Sequence, residues 1–195
     1  MKKRVITISR EFGSGGRYIG KQLADKLEIA FYDKELILKT AEETGLSQDF
    51  IEKKGEYSPA KNIFSYGFVG RTSTGMSMDD YLYTAQRKII LELAENEPCV
   101  IVGRCADYIL RERTDCIHAF IHGNPEEKKK RICSLYGETE SGALKLMKEM
   151  DKKRSIHYKY HTDLEWGNTK NYTMALNSSE LGYDLCIRLL AEAAE

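Results

Sequence analysis

Between Val5 and Leu27 the chain passes from an apolar, β-branched run, Val5-Ile6-Thr7-Ile8, through a glycine cluster to a stretch with Ile19, Leu23 and Leu27 spaced by four. That order predicts a strand, a tight turn and a helix, the helix burying one face and turning Lys21, Asp25 and Lys26 outward. A strand and helix joined so closely must pack as layers of one α/β unit. The glycines let backbone N–H groups approach an anion, and the helix aims the positive end of its dipole at the same point. Gly13, Ser14, Gly15 and Gly16 are therefore expected to hold a phosphate, with Arg10 or Arg17 adding guanidinium charge. An ordinary glycine-rich turn is the alternative.

The more usual phosphate loop, G-x-x-x-x-G-K-[ST], adds a lysine and a magnesium-binding hydroxyl. With Gly15 as the last loop glycine, Gly16 stands at the lysine position and Arg17 at the hydroxyl position. Both usual side chains are replaced.

Further apolar runs alternate with helical patterns. Strands are predicted at Arg4 to Ser9, Ala30 to Asp33, Cys99 to Gly103, Cys116 to His122 and Tyr172 to Asn177, giving an α/β class with a parallel sheet. Asp79 or Asp80 is expected to cap a helix that runs to Asn96 with Leu82, Ile89, Ile90 and Leu93 inward. Asn124-Pro125-Glu126-Glu127 offers a cap, a proline at the first helical position and acids at the positive helix end. Lys128 to Arg131 on that helix reads as a solvated face. Ser178 or Ser179 is expected to cap a terminal helix whose Leu181, Leu185, Leu189 and Leu190 are buried.

Two segments break the pattern. Glu56 to Met78, with Pro59, Gly67, Gly70 and Gly75, is too long for an ordinary connection and reads as a functional or flexible loop. Within 137–169, the stretch Lys145 to His161 carries six Lys or Arg against two acids, in a chain with 30 basic and 30 acidic residues. That overall balance gives no electrostatic case for a nucleic-acid or membrane partner. Apolar runs such as Cys99-Val100-Ile101-Val102 fall far short of the roughly 20 residues a membrane span needs. One soluble, cytoplasmic domain over 1–195 is expected. The five cysteines form no C-x-x-C pair, and His118-x-x-x-His122 and His157-x-x-x-His161 lack the glutamate of a zinc protease helix. No metal ligand is assigned.

Four stretches, Ile8 to Arg17, Phe31-Tyr32-Asp33-Lys34-Glu35, Val100 to Tyr108 and Asn171 to Ser179, together resemble the cytidylate kinase-like family, a branch of the nucleoside monophosphate kinases. The resemblance spans nearly the whole chain. It implies a P-loop three-layer α/β/α fold with a five-stranded parallel sheet, a substrate-binding insertion at about 34–96 and a helical lid at about 137–169. It also implies transfer of the γ-phosphoryl group of ATP, accompanied by Mg2+, to a nucleoside monophosphate such as CMP or dCMP. ATP phosphates would lie on Arg10, Gly13, Ser14, Gly15, Gly16 and Arg17. Arg104 would meet the acceptor phosphate, Asp107 its base or ribose, and Asp33 either the acceptor or the N-terminus of the next helix. Arg17, Lys153 and Arg154 would surround the transferring group.

The chain departs from the family pattern at the missing loop lysine, in a lid richer in lysine than arginine, and at Val102, where cytidylate kinases carry an aspartate. Two other readings therefore stand beside kinase activity on a nucleotide. One is a nucleotide-binding sensor or module with little catalysis. The other is a small-molecule kinase whose acceptor pocket is rebuilt by the Glu56 to Met78 loop. Oligomeric state is left open.

Overall fold

The structure, a computed structural model, describes residues 4–49, 51 and 75–195. In chain order its elements are β1 (Val5–Arg10), α1 (Gly16–Leu27), β2 (Ala30–Tyr32), α2 (Lys34–Thr44), α3 (Met78–Asn96), β3 (Cys99–Val102) and α4 (Ala106–Ile109). There follow β4 (Cys116–His122), α5 (Pro125–Tyr136), α6 (Glu140–Thr162), a 3-10 turn at Thr169–Asn171, β5 (Met174–Asn177), α7 (Ser178–Leu181) and α8 (Tyr183–Ala194). The expected loop at Glu56 to Met78 lies outside the described residues up to position 74.

All five strands pair in parallel, in the order β2-β3-β1-β4-β5. Parallel neighbours can be joined only by crossovers, so helices must cover both faces. Alternation along the strands decides which face each side chain serves. Ile6, Ile8, Val100, Val102 and Ile121 meet Ile19 and Leu23 of α1 and Ile187 and Leu190 of α8. Val5, Cys99 and Ile101 face the other way, toward Ile89, Ile90 and Leu93 of α3 and Ile109 beside them. Full burial of one such Leu or Ile side chain contributes about 1.5–3 kcal/mol. The three-layer α/β/α class is as expected, and α1 has the expected limits. No helix among the described residues is long and apolar enough to cross a membrane.

Helix ends differ from expectation for local chemical reasons. Ser77, not Asp79 or Asp80, caps α3: its Oγ accepts from the Asp80 N–H at 3.1 Å and donates to the Asp80 carboxylate at 2.6 Å. Asn124 sits at the cap position of α5 without capping it, because its side chain bonds instead to Glu180 and Asn177 across the sheet. The terminal helix is divided at Gly182 into α7 and α8, and Asn177 caps α7 by accepting from the Ser179 N–H. Strand β5 begins at Met174 rather than Tyr172.

Helix α6 crosses the end of this sheet. Met147 and Ala143 pack with Ile132 of α5 and with Phe12. Further along, His161 stacks on Tyr83 of α3 with ring centroids 4.0 Å apart. Burial drives the His161 imidazole down from 6.5 to about 4, with Asp80 opposing the shift. The unfolded chain thus takes up this proton near pH 6.5 and the folded chain only near pH 4, so the stabilisation from neutral His161 is complete above the first value and fades toward the second. Thermal melts of wild type and His161→Phe from about pH 7 to about pH 4 should show a shallower decline for the variant. Parallel curves would mean that the stacked imidazole titrates normally.

Candidate active site

The turn after β1 is shaped by two glycines in the left-handed region, Gly13 at φ +83° and Gly15 at φ +80°. Ser14 between them turns inward, donating its hydroxyl to the Glu11 carbonyl at 2.8 Å. Gly15 holds the cap position of α1 and supplies no side chain, so no cap side chain fills the space before the first-turn amides. An anion is the natural occupant of such a helix end. The loop is also held from outside. Ser178 shares its hydroxyl proton between the Ser14 carbonyl at 2.7 Å and the His122 carbonyl at 2.9 Å. The Phe12 N–H donates to Asp151 Oδ1 at 2.6 Å, and Arg154 donates to the Arg10 carbonyl at 2.9 Å. Burial raises the Asp151 carboxyl while the Phe12 N–H, Arg154 and Lys128 oppose that shift.

On the β4–β5 side of the loop lies a cavity of about 500 Å³, lined by Gly13, Ser14, Lys128, Arg131, Ser178, Gly182 and Tyr183 among others. Arg131 donates to the Tyr183 hydroxyl at 2.9 Å, its guanidinium 5.0 Å from the centre of that ring and 5.9 Å from that of Tyr18. A guanidinium braced by aromatic faces is a flat, cationic surface.

On the β2–β3 side, Asp33 is buried at the end of β2 and pairs with Arg17 of α1. Beyond β3, Gly103, Arg104 and Cys105 all have positive φ, two of them without glycine's freedom. Arg104 is 2% exposed there. Asp107, one helical turn on, accepts from the Tyr158 hydroxyl of α6 at 2.7 Å. Burial and the Asp107 charge hold that phenol far above its ordinary pKa, so it remains a donor.

Six charged residues are buried among the described ones, Arg10, Asp33, Arg104, Asp107, Lys128 and Arg154. All six belong to this one end of the sheet. In an open α/β sheet that end, where the strand order reverses on either side of β1, is the ligand crevice. Residues 5–180 match the cytidylate kinase-like family. The chain belongs to that family.

Among solved structures, an uncharacterized protein from Eubacterium ventriosum ATCC 27560 is 29% identical, with 97% of each chain covered and a TM-score of 0.75. Shikimate kinase from Bacteroides thetaiotaomicron, 17% identical with 97% of each chain covered, has a TM-score of 0.56. A gluconokinase from Sinorhizobium meliloti 1021, 16% identical with 99% of this chain and 97% of that one covered, also gives 0.56. The latter two share the fold. No curated protein gives a match.

In this cytidylate kinase-like chain the residues singled out from the sequence gather around the loop, with two differences of placement. Arg17 turns to Asp33, and Lys153 extends along its own helix with Nζ 3.8 Å from Met150 Sδ, its pKa lowered by desolvation. Asp33 occupies the cap position of α2 but makes no side-chain cap. The solvated reading of Lys128 to Arg131 is corrected: Lys128 is buried and bonds Glu11 at 2.7 Å, with Asp151 at 3.8 Å. Lys128 and Arg131, three apart on α5, share the face toward the loop. That spacing, directly after the Asn124-Pro125 helix start, was the available signal for them. Among the described residues no group of three or more His, Cys, Asp or Glu is arranged to hold a metal, and Glu11 and Asp151 are engaged by Lys128. The arrangement does not fit a dedicated protein-held magnesium centre.

A methyl group on Gly15 would lie 2.7 Å from the Tyr183 ring, whereas one on Gly45, also left-handed at φ +69°, would meet nothing within 4 Å. Gly45→Ala should therefore cost only the backbone strain, about 1–3 kcal/mol. Gly15→Ala should cost more, measured as unfolding free energy in denaturant. Equal losses would show that Tyr183 yields without penalty.

Proposed function

We propose that the chain transfers the γ-phosphoryl group of ATP to a nucleoside monophosphate, with CMP and dCMP as the leading acceptors. The observation that carries this reading is the concentration of buried charge around one glycine loop, with a nucleoside-sized cavity on one side and buried Arg104 on the other. Four of the six buried ions, Arg10, Arg104, Lys128 and Arg154, are cations, and a polyphosphate bridging the two sides is the anion that complements them.

In this reading the donor base and ribose occupy the cavity against Tyr183 and Arg131. The phosphates run over the amides of Gly13 to Gly16 toward the far side. Arg104 fixes the acceptor phosphate, and Asp107, oriented by Tyr158, accepts a hydrogen bond from the acceptor's base or ribose. An acceptor phosphate oxygen forms the new bond to the γ-phosphorus as the bond to the β-phosphate oxygen breaks, and ADP leaves. Because that oxygen is already ionised, no protein base is needed, and catalysis is positioning plus positive charge. Arg154, fixed between Asp151 and the Arg10 carbonyl, lies beside the transfer zone. Magnesium would enter with the nucleotide and neutralise phosphate charge.

ADP formation should be measured with ATP and CMP, dCMP, UMP or AMP, alongside small polyhydroxy acids. A pyrimidine monophosphate should be the best acceptor. Turnover only with a hydroxy acid would move the acceptor class, and no turnover with any acceptor despite ATP binding would leave the binding-module reading in its place. Arg104→Gln should raise the acceptor KM about tenfold or more with little change for ATP, and Arg131→Gln the reverse.

A further inference from the structure

We infer that Arg10 supplies the charge that a lysine supplies in the more usual phosphate loop, and that Gly16 is glycine to make room for it. This inference rests on the nucleotide reading of the loop.

The three loop glycines are glycine for different reasons. Gly13 and Gly15 adopt left-handed φ, but Gly16, the first residue of α1, does not. Its constraint is space. A Cβ at position 16 would lie 2.5 Å from Arg10 Cβ, 3.0 Å from Arg10 Cγ and 3.3 Å from Ile121 Cβ. The stem of Arg10 thus fills the volume into which a lysine at position 16 would have to grow. The cation has moved from the first turn of the helix to the last residue of the strand, and one location excludes the other.

Arg10 is well held for that task. It is 4% exposed, its backbone belongs to β1 in register with Ile121, and Arg154 clasps its carbonyl. Arg17, its side chain 58% exposed, pairs with Asp33. Lys128 lies against Glu11 and Asp151, and Lys153 lies along its own helix. A guanidinium also spans two phosphate oxygens with parallel bonds, which an ammonium does not.

The test compares ATP and adenosine affinity by calorimetry, together with thermal melts, for wild type, Arg10→Gln, Gly16→Lys and the exchanged pair Arg10→Gly with Gly16→Lys. Arg10→Gln should raise the Kd for ATP about tenfold or more and leave adenosine within about twofold, since only the phosphates lose a partner. Gly16→Lys alone should melt below wild type, and the exchanged pair should recover both stability and ATP affinity. Should the exchanged pair fail to fold, Arg10→Lys is read instead, and it should bind ATP more tightly than Arg10→Gln. Wild-type ATP affinity in Arg10→Gln, or a Gly16→Lys protein as stable and tight as the exchanged pair, would overturn the inference. A wild-type protein that binds neither ATP nor GTP would overturn the nucleotide reading itself, and this inference with it.

Discussion

Strand β1 has a parallel neighbour on each side, and a helical layer on each face leaves every one of its residues buried. Parallel pairing sends all five strand ends the same way, so the turns after them converge on one edge. The order of the strands then divides that edge. Turns after β2 and β3 deliver Asp33 and Arg104 to one side of the glycine loop, and turns after β4 and β5 deliver Lys128 and Ser178 to the other. A two-sided crevice follows from placing the first strand in the middle. Had β1 been an edge strand, only one flank of the loop could have been furnished.

Helix α6 completes this edge, and its contacts bear on how the crevice can open. Asp151 and Arg154 grip the loop backbone at the Phe12 N–H and the Arg10 carbonyl, Tyr158 grips Asp107, and His161 stacks on Tyr83. These contacts run along successive turns of one helix and join it to β1, α4 and α3. Removing one member of a buried charged set leaves the others uncompensated, which costs far more than the set contributes as a whole. The middle of α6 therefore serves as a wall of the crevice. Motion that opens the site must carry this whole row of contacts or break it.

The strand–loop–helix start was legible from sequence because its signals are local: β-branched residues, glycines and an apolar period of four within a short window. The same holds for the five strands and for the side of α3 that is buried. What escaped depends on partners far along the chain. Lys128 sits in a run of four basic residues after two acids, a pattern of solvated helices, and only folding brings Glu11 and Asp151 to it. Asn124 has every local mark of a helix cap, yet a glutamate of α7 and the asparagine that ends β5 take its side chain. The same blindness applied to glycine. Sequence alone groups Gly13, Gly15 and Gly16 as one flexible cluster, whereas only the first two need the flexibility and Gly16 needs room alone.

The two flanks of the loop are preorganised by opposite means. On the β4–β5 side, glycine removes the conformational penalty, and the Tyr183 ring fits against Gly15 because no Cβ intervenes. On the β2–β3 side, Arg104 and Cys105 accept left-handed backbone without that freedom, at about 1–3 kcal/mol each. The strain is held in place by the Gly103 N–H on the Ile8 carbonyl and the Ala106 N–H on the Gly103 carbonyl, both near 3 Å, with distances of 3.0 and 3.1 Å. What it achieves is compression: α4 begins only four residues past the end of β3, so a buried arginine and a buried aspartate lie three positions apart at the crevice. A relaxed connection would need more residues and would carry Asp107 away from Tyr158. In the proposed reaction, rigidity at this point matters more than its cost, because transfer between two phosphates depends on holding both in line, and a displacement of a single ångström at the acceptor would forfeit much of the rate.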